Sequence, residues 1–156
     1  MAVTWPNPTY TDGQLIAAAD LNIIRDNLND LHATGTWTPT YYGGTTAGTT
    51  THAVQVGSYT RIGDVTFFSI YITWTAATGT GNARISLPST SRNTTNLRST
   101  PTVLPDSVTY SSGPPKALIL PNTNYIDIYT TTSNAGSAAI AVEAAGGLVI
   151  TGFYFV

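Results

Sequence analysis

The sequence predicts a mainly β protein: a jelly-roll-like antiparallel β-sandwich preceded by an extended arm and one short α-helix. Three observations carry this. A helical period occupies a single stretch near the start. Everything after Gly35 is short runs of Thr, Val, Ile, Tyr and Phe cut by Gly, Pro, Asn and Ser, the texture of strands and turns. In the run VTFFSIYITW the even positions Phe68, Ile70, Ile72 and Trp74 make one apolar face, begun by Thr66, with Ser69 and Thr73 opposite, the period of a strand that is half buried or better.

Taken in order, residues 1–16 hold Trp5, Pro6, Pro8, Tyr10 and the turn pair Asp12-Gly13, and read as an extended arm, not a helix, that wraps over something. From Ala17 the segment AAADLNIIRDNLNDLH runs to His32 without Gly or Pro, and Leu21, Ile24, Leu28 and Leu31 follow a 3-4-3 spacing. That is an a/d stripe, predicting an amphipathic helix over 17–33 with Asp20 at its positive end and Gly35 as its stop. About 24 Å of helix is too short to stand alone in water. The stripe either packs on its own domain or forms a seam between identical subunits, where Asn27 and Asn29 would flank it.

Residues 35–156 are the predicted sandwich head. Gly63-Asp64 lies between two strand-like runs and reads as a two-residue hairpin turn, Gly supplying the positive φ. Further strands are expected over 35–42, 54–62, 84–87, 117–120, 125–130, 137–142 and 148–156. The last, GLVITGFYFV, is apolar on both faces, so it is either central or covered on its outer side by another subunit. GGTTAGTTT (43–51) and the stretch 90–112, interrupted by Pro101 and Pro105, are expected to be loops, and Gly43-Gly44 and Gly146-Gly147 to be turns.

Composition narrows the chemistry. Of 156 residues 42% are hydrophobic and only 9% charged, with net charge −2, against about 25% charged in an ordinary domain. Thr, nearly a fifth of the chain, supplies the solubility instead. No basic field exists to hold phosphates, which argues against nucleic acid, and no apolar run reaches the roughly 18 residues of a membrane span. Met1 to Gln14 lack the basic and apolar regions of a Sec signal. With no Cys and only His32 and His52, neither a thiolate nucleophile nor a metal site is expected, and no cofactor.

Catalysis is not expected either. Four of the eight carboxylates, Asp12, Asp20, Asp26 and Asp30, belong to the arm and helix. Asp64 belongs to the turn, Asp127 in YIDIY faces away from Ile126 and Ile128 as a solvated strand residue, and Asp106 and Glu143 form no pair suited to glycoside hydrolysis. His52 reads as a loop residue, without a nucleophile elbow around any Ser. His32 closes the helix, where its protonated form favours the negative end. Binding signals remain. Arg84, Arg92 and Arg98 share a stretch without an acidic residue, able to meet phosphates or acidic sugars. Trp37, Tyr41, Tyr42 and Tyr110 are flat rings of the kind that stack on sugars. The candidate glycan contacts are therefore Trp37, Tyr41, Tyr42, Arg92, Arg98 and Tyr110.

The segment QLIAAADLNIIRDNLNDL resembles the short N-terminal helix of small tailed-bacteriophage and prophage tail proteins, through Asp20, Leu21, Asn22, Arg25, Asp26, Asn27 and Leu28. GSYTRIGDVTFF, through Gly57, Tyr59, Arg61, Ile62, Gly63 and Asp64, is similar to the opening strands of jelly-roll heads in phage fibre and receptor-binding proteins, as ITGFYFV is to their final strand. The resemblance implies a homotrimeric virion protein, assembled in the host cytoplasm and displayed on the particle surface. Its partners would be itself, other tail or capsid proteins and host cell-surface glycan. Within that reading a tail fibre or receptor-binding protein competes with a capsid decoration protein anchored by Trp5, Pro6, Pro8 and Tyr10. A lectin-like carbohydrate-binding module and a polysaccharide-cleaving enzyme are the outsiders.

Overall fold

The computed structural model describes residues 17–108, 113–131 and 136–156. The arm with Trp5, Pro6, Pro8 and Tyr10, and Tyr110 in the long loop, lie outside these residues. A helix α1 (Ala18–Leu31) is followed by β1 (His32–Trp37), β2 (Tyr41–Gly43), β3 (Thr50–Ile62), β4 (Val65–Ala77), β5 (Ala83–Ser86), β6 (Thr102–Asp106), β7 (Lys116–Leu118), β8 (Tyr125–Thr131), β9 (Ser137–Ala139) and β10 (Gly146–Phe155). Sheet I runs β1-β3-β4-β10-β6 and sheet II runs β2-β5-β8-β7, with β9 on β8. All pairings are antiparallel, giving the expected β-sandwich.

The core lies between the inner faces. Phe68, Ile70, Ile72 and Trp74 of β4 and Leu148, Ile150 and Tyr154 of β10 meet Ile85, Ala117, Ile126 and Ile128 of sheet II, all buried. Full burial of each large aliphatic side chain contributes about 1.5–3 kcal/mol. Tyr154 satisfies its phenol inside the core through Ser89 (Oγ at 2.8 Å, main-chain O at 3.2 Å). The Gly63-Asp64 turn joins β3 to β4 with Gly63 at φ +56°, as its sequence requires.

Several expectations change. The helix ends at Leu31, not at Gly35: His32 leaves the helical region at φ −136°, ψ 100°, and its N–H closes on Asn29 O. Gly35 is instead a strand residue opposite Tyr59, and a Cβ there would lie 2.7 Å from that ring. The run 35–42 divides between the two sheets, in β1 and β2. Thr50 and Thr51 belong to β3, and His52 is a strand residue beside a register shift rather than a loop histidine. Gly43, Gly146 and Gly147 sit in strands, because close approach of a neighbouring backbone, 2.3 Å from a Cβ at Gly43 and 2.8 Å at Gly147, leaves no room for a side chain. The 90–112 stretch contains β6, whose Pro105 is tolerated because β6 is an edge strand bonded to β10 alone.

Among the described residues no helix is long and apolar enough to cross a membrane.

Candidate functional site

The outer face of sheet II collects the polar chemistry of the head. Register places Tyr42, Arg84, Asp127 and Leu118 in one row across β2, β5, β8 and β7. On β8, the alternation of YIDIY brings Tyr125 and Tyr129 to the same face as Asp127 while Ile126 and Ile128 fill the core. Asp127 does face away from the two isoleucines, but it is not solvated: it is 2% exposed. Arg84 covers it, donating from Nε to Oδ1 at 2.8 Å, and itself lies 3.9 Å from the centre of the Tyr125 ring. A charge-assisted bond of this length and a cation–π contact are mutually reinforcing in a partly desolvated setting.

Three tyrosines therefore surround one ion pair. Burial raises the Tyr42 phenol above its ordinary pKa, with Arg84 acting the other way and Tyr125 and Asp127 adding to the rise. Burial also raises Tyr129, with Asp127 adding to it and Arg84 opposing. Both stay protonated near neutrality, able to donate as well as accept. Beside them a cleft of about 720 Å³ opens, lined among others by Thr102, Pro114, Pro115, Lys116, Tyr129 and Thr131. Across the Thr100–Thr102 ridge lies a groove of about 550 Å³ bounded by Arg98, Phe153 and Phe155. Cations, flat rings and hydroxyls along two adjoining depressions form the chemistry that binds polar, ring-shaped ligands.

The candidate contacts read from sequence do not converge. Tyr42 belongs to the tyrosine face and Arg98 to the groove. Tyr41, one residue earlier, points inward and is buried, stacked on Trp74. Trp37 is half-buried, folded over Gly57, with its indole N–H donated to Ser86 O at 3.3 Å. Arg92 pairs with Asp64 and donates twice to Val156 O at 3.2 Å. The run of three arginines is thus not a free cationic patch, since two of the three are paired. Tyr125 and Tyr129 are not among the residues the sequence singles out, although YIDIY places them at i and i+4 around Asp127; what links them to Tyr42 and Arg84 is sheet register.

Among the described residues no three His, Asp or Glu side chains gather where a metal could sit. Asp106 accepts from Tyr71 (3.3 Å) and Ser107 (3.4 Å), far in role from Asp127 on the other sheet.

The stripe on α1 has an unambiguous position. Leu21, Ile24 and Leu28 are 54, 39 and 62% exposed, so they do not pack on their own sandwich.

No protein-family model matches the chain, and no curated protein sequence does. Among solved structures the fold is similar to the crystal structure of the Dettilon tailspike protein (gp208), with a TM-score of 0.64 and 22% identity over 80% of this chain. The chain corresponds to 24% of that protein's length, about a quarter of it, and the likeness is one of fold.

Proposed function

We propose that this chain is a non-enzymatic structural protein of a tailed-phage virion, a homotrimer on the particle surface acting as a tail fibre or receptor-binding head for host cell-surface glycan. The observation that carries the reading is the stance of α1: a 14-residue helix with its apolar stripe in solvent, stable only if another such stripe covers it. The fold shared with a tailspike protein supports a place in the tail rather than on the capsid shell. The sequence resemblance of the helix and of the Gly57 to Phe68 region points the same way.

In this reading the head meets glycan through Tyr42, Tyr125 and Tyr129 around Arg84–Asp127, and through the adjoining cleft with Lys116. Tyrosine rings offer apolar faces to sugar C–H groups, while their phenols and the Thr hydroxyls exchange hydrogen bonds with sugar hydroxyls. Tyr41, Trp37 and Arg92 have structural duties instead. The test is retention of the labelled protein on immobilised bacterial lipopolysaccharide and capsular polysaccharide. Tyr129→Ala and Lys116→Ala are expected to weaken retention about tenfold each without loss of fold, and no oligosaccharide is expected to be released. Retention unchanged in both variants would remove the glycan assignment from this face.

A further inference from the structure

The two outer faces of the sandwich differ in kind. On sheet I, register aligns the outward residues in rows: His32–Ile62–Val65–Phe155, Thr34–Thr60–Phe67–Phe153, Thr36–Ser58–Ser69–Thr151–Thr102 and Val56–Tyr71–Val149–Leu104. None of these residues is Lys, Arg, Asp or Glu. The carboxylate of the next row, Asp106, lies at the edge and already accepts from Tyr71. Val56, Ile62, Phe67, Tyr71, Leu104 and Phe153 are all exposed, and Phe67, Phe153 and Phe155 form a chain of rings 5.9 and 6.2 Å apart. Charge returns at the rim: Arg92 lies 5.8 Å from the centre of the Phe155 ring and pairs with Asp64, and Arg98 borders the groove beside Phe153 and Phe155. A face of exposed apolar rings and aliphatic side chains interleaved with hydroxyls, without charge on its rows and with charge at its rim, is the anatomy of a protein interface.

We infer that the outer face of sheet I is buried against a second copy of this chain, as the continuation of the helical seam. The inference rests on the oligomer proposed above and names the surface that closes it. Two observations select a copy as occupant. First, α1 runs without a break from Leu31 into β1, the edge strand of this same sheet, so copies joined at their helical stripes hold their sheets I as near neighbours, and the face is continuous in the chain with the proposed seam. Second, the area suits it: five strands about 4.8 Å apart, each contributing about nine residues at about 3.4 Å, present roughly 700 Å², close to the roughly 800 Å² per partner of a stable interface. The absence of charge on the rows excludes a polyanionic occupant. The division of labour follows, with sheet I turned to its own kind and sheet II, with its tyrosines and ion pair, left open to ligand.

The absence of cysteine makes the test direct. Leu104→Cys on the face and Thr94→Cys on an exposed loop are made in the full chain, and in a companion with Leu21, Ile24, Leu28 and Leu31 changed to Ser. Mass is measured by light scattering and thiol labelling by a small maleimide. The expected result is an oligomer in which the thiol at 104 labels at least tenfold more slowly than the thiol at 94, the difference vanishing in a monomeric companion. A companion that stays oligomeric with the thiol at 104 still protected also supports the inference, since the sheet face then holds the copies unaided. An oligomer in which both thiols label equally fast overturns the inference while leaving the helical seam intact. A monomeric full chain overturns both. Slow labelling at 104 in monomer and oligomer alike would mean that the chain's own residues 1–16 or another of its segments cover the face, and overturns it as well. As a second readout, Leu104→Lys with Phe153→Lys, both at exposed positions, is expected to raise the dissociation constant at least tenfold with tryptophan emission unchanged; an unchanged constant overturns the inference.

Discussion

Tyr41 and Trp74 stack with ring centroids 3.8 Å apart and planes 15° from parallel, and together they hold the main chain of Glu143. The Glu143 N–H donates to the Tyr41 phenol at 2.9 Å, and the Trp74 indole N–H donates to Glu143 O at 2.9 Å. One ring comes from an edge strand of sheet II and the other from the middle of sheet I, so the pair ties both sheets to the segment entering β10. Burial drives the Tyr41 phenol up to about 12. Tyr41→Phe keeps the stack but strands a main-chain donor, and is expected to cost about 1–2 kcal/mol. Tyr41→Ala also opens a cavity and is expected to cost about 3–5 kcal/mol. Urea unfolding with an unchanged m-value checks both.

The Arg84–Asp127 pair predicts an asymmetry. Arg84 is 23% exposed and Asp127 2%, so a guanidinium that loses its partner can reach water whereas the carboxylate cannot. Arg84→Met is expected to destabilise by about 3–5 kcal/mol and Asp127→Asn by distinctly less. The double variant Arg84→Met, Asp127→Leu should be more stable than Arg84→Met alone, as measured by equilibrium unfolding.

His52 makes stability depend on pH. Its Nε2 accepts the Tyr41 N–H at 3.1 Å, and burial holds its pKa below the ordinary value of about 6.5. The unfolded chain therefore takes up a proton first as pH falls. The His52 contribution is complete above about pH 6.5, declines as pH drops towards the folded pKa, and is constant below it. The urea midpoint should fall between about pH 7.5 and about pH 5, and fall less in His52→Gln, whose carbonyl accepts the same bond without titrating.

Two glycines of the β1–β3 pair exist to be covered. Tyr59 lies over its partner Gly35 and Trp37 over its partner Gly57, where a Cβ would stand 2.7 Å from either ring. Gly57→Ala is expected to displace Trp37, break its bond to Ser86 O and cost about 1–3 kcal/mol. A change in tryptophan emission should accompany the loss of stability.

The helix should be dispensable for the sandwich and indispensable for assembly. Changing Leu21, Ile24, Leu28 and Leu31 to Ser removes the stripe, whose described side chains touch solvent rather than the core. The mass in solution is expected to fall to that of a monomer whose β domain still unfolds cooperatively, at a lower thermal midpoint than the parent because association no longer stabilises the folded state.

Legibility followed the range of the interaction. The helix was readable from Leu21, Ile24 and Leu28, the hairpin from Gly63-Asp64, and the buried face of β4 from Thr66, Phe68, Ile70, Ile72 and Trp74, because each rests on a period or turn spanning a few residues. β6 was hidden because Pro105 counts against a strand until it is known to lie on an edge. The candidate site was half legible. Tyr41 and Tyr42 look alike in sequence, because neighbouring strand residues are distinguished only once one face is known to be inside, where Tyr41 lies.

By itself the sequence determined a β-sandwich carrying a short amphipathic helix, little charge and no sulfur chemistry, because composition, periodicity and turn residues act locally and add along the chain. Only the tertiary structure decided what the exposed faces are. Arg84 meets Asp127 across a sequence separation of 43, and Val56, Tyr71, Val149 and Leu104 become one apolar row only when four strands take their register. Such alignments depend on which backbones exchange hydrogen bonds, a choice made by the whole core at once and written in no single segment.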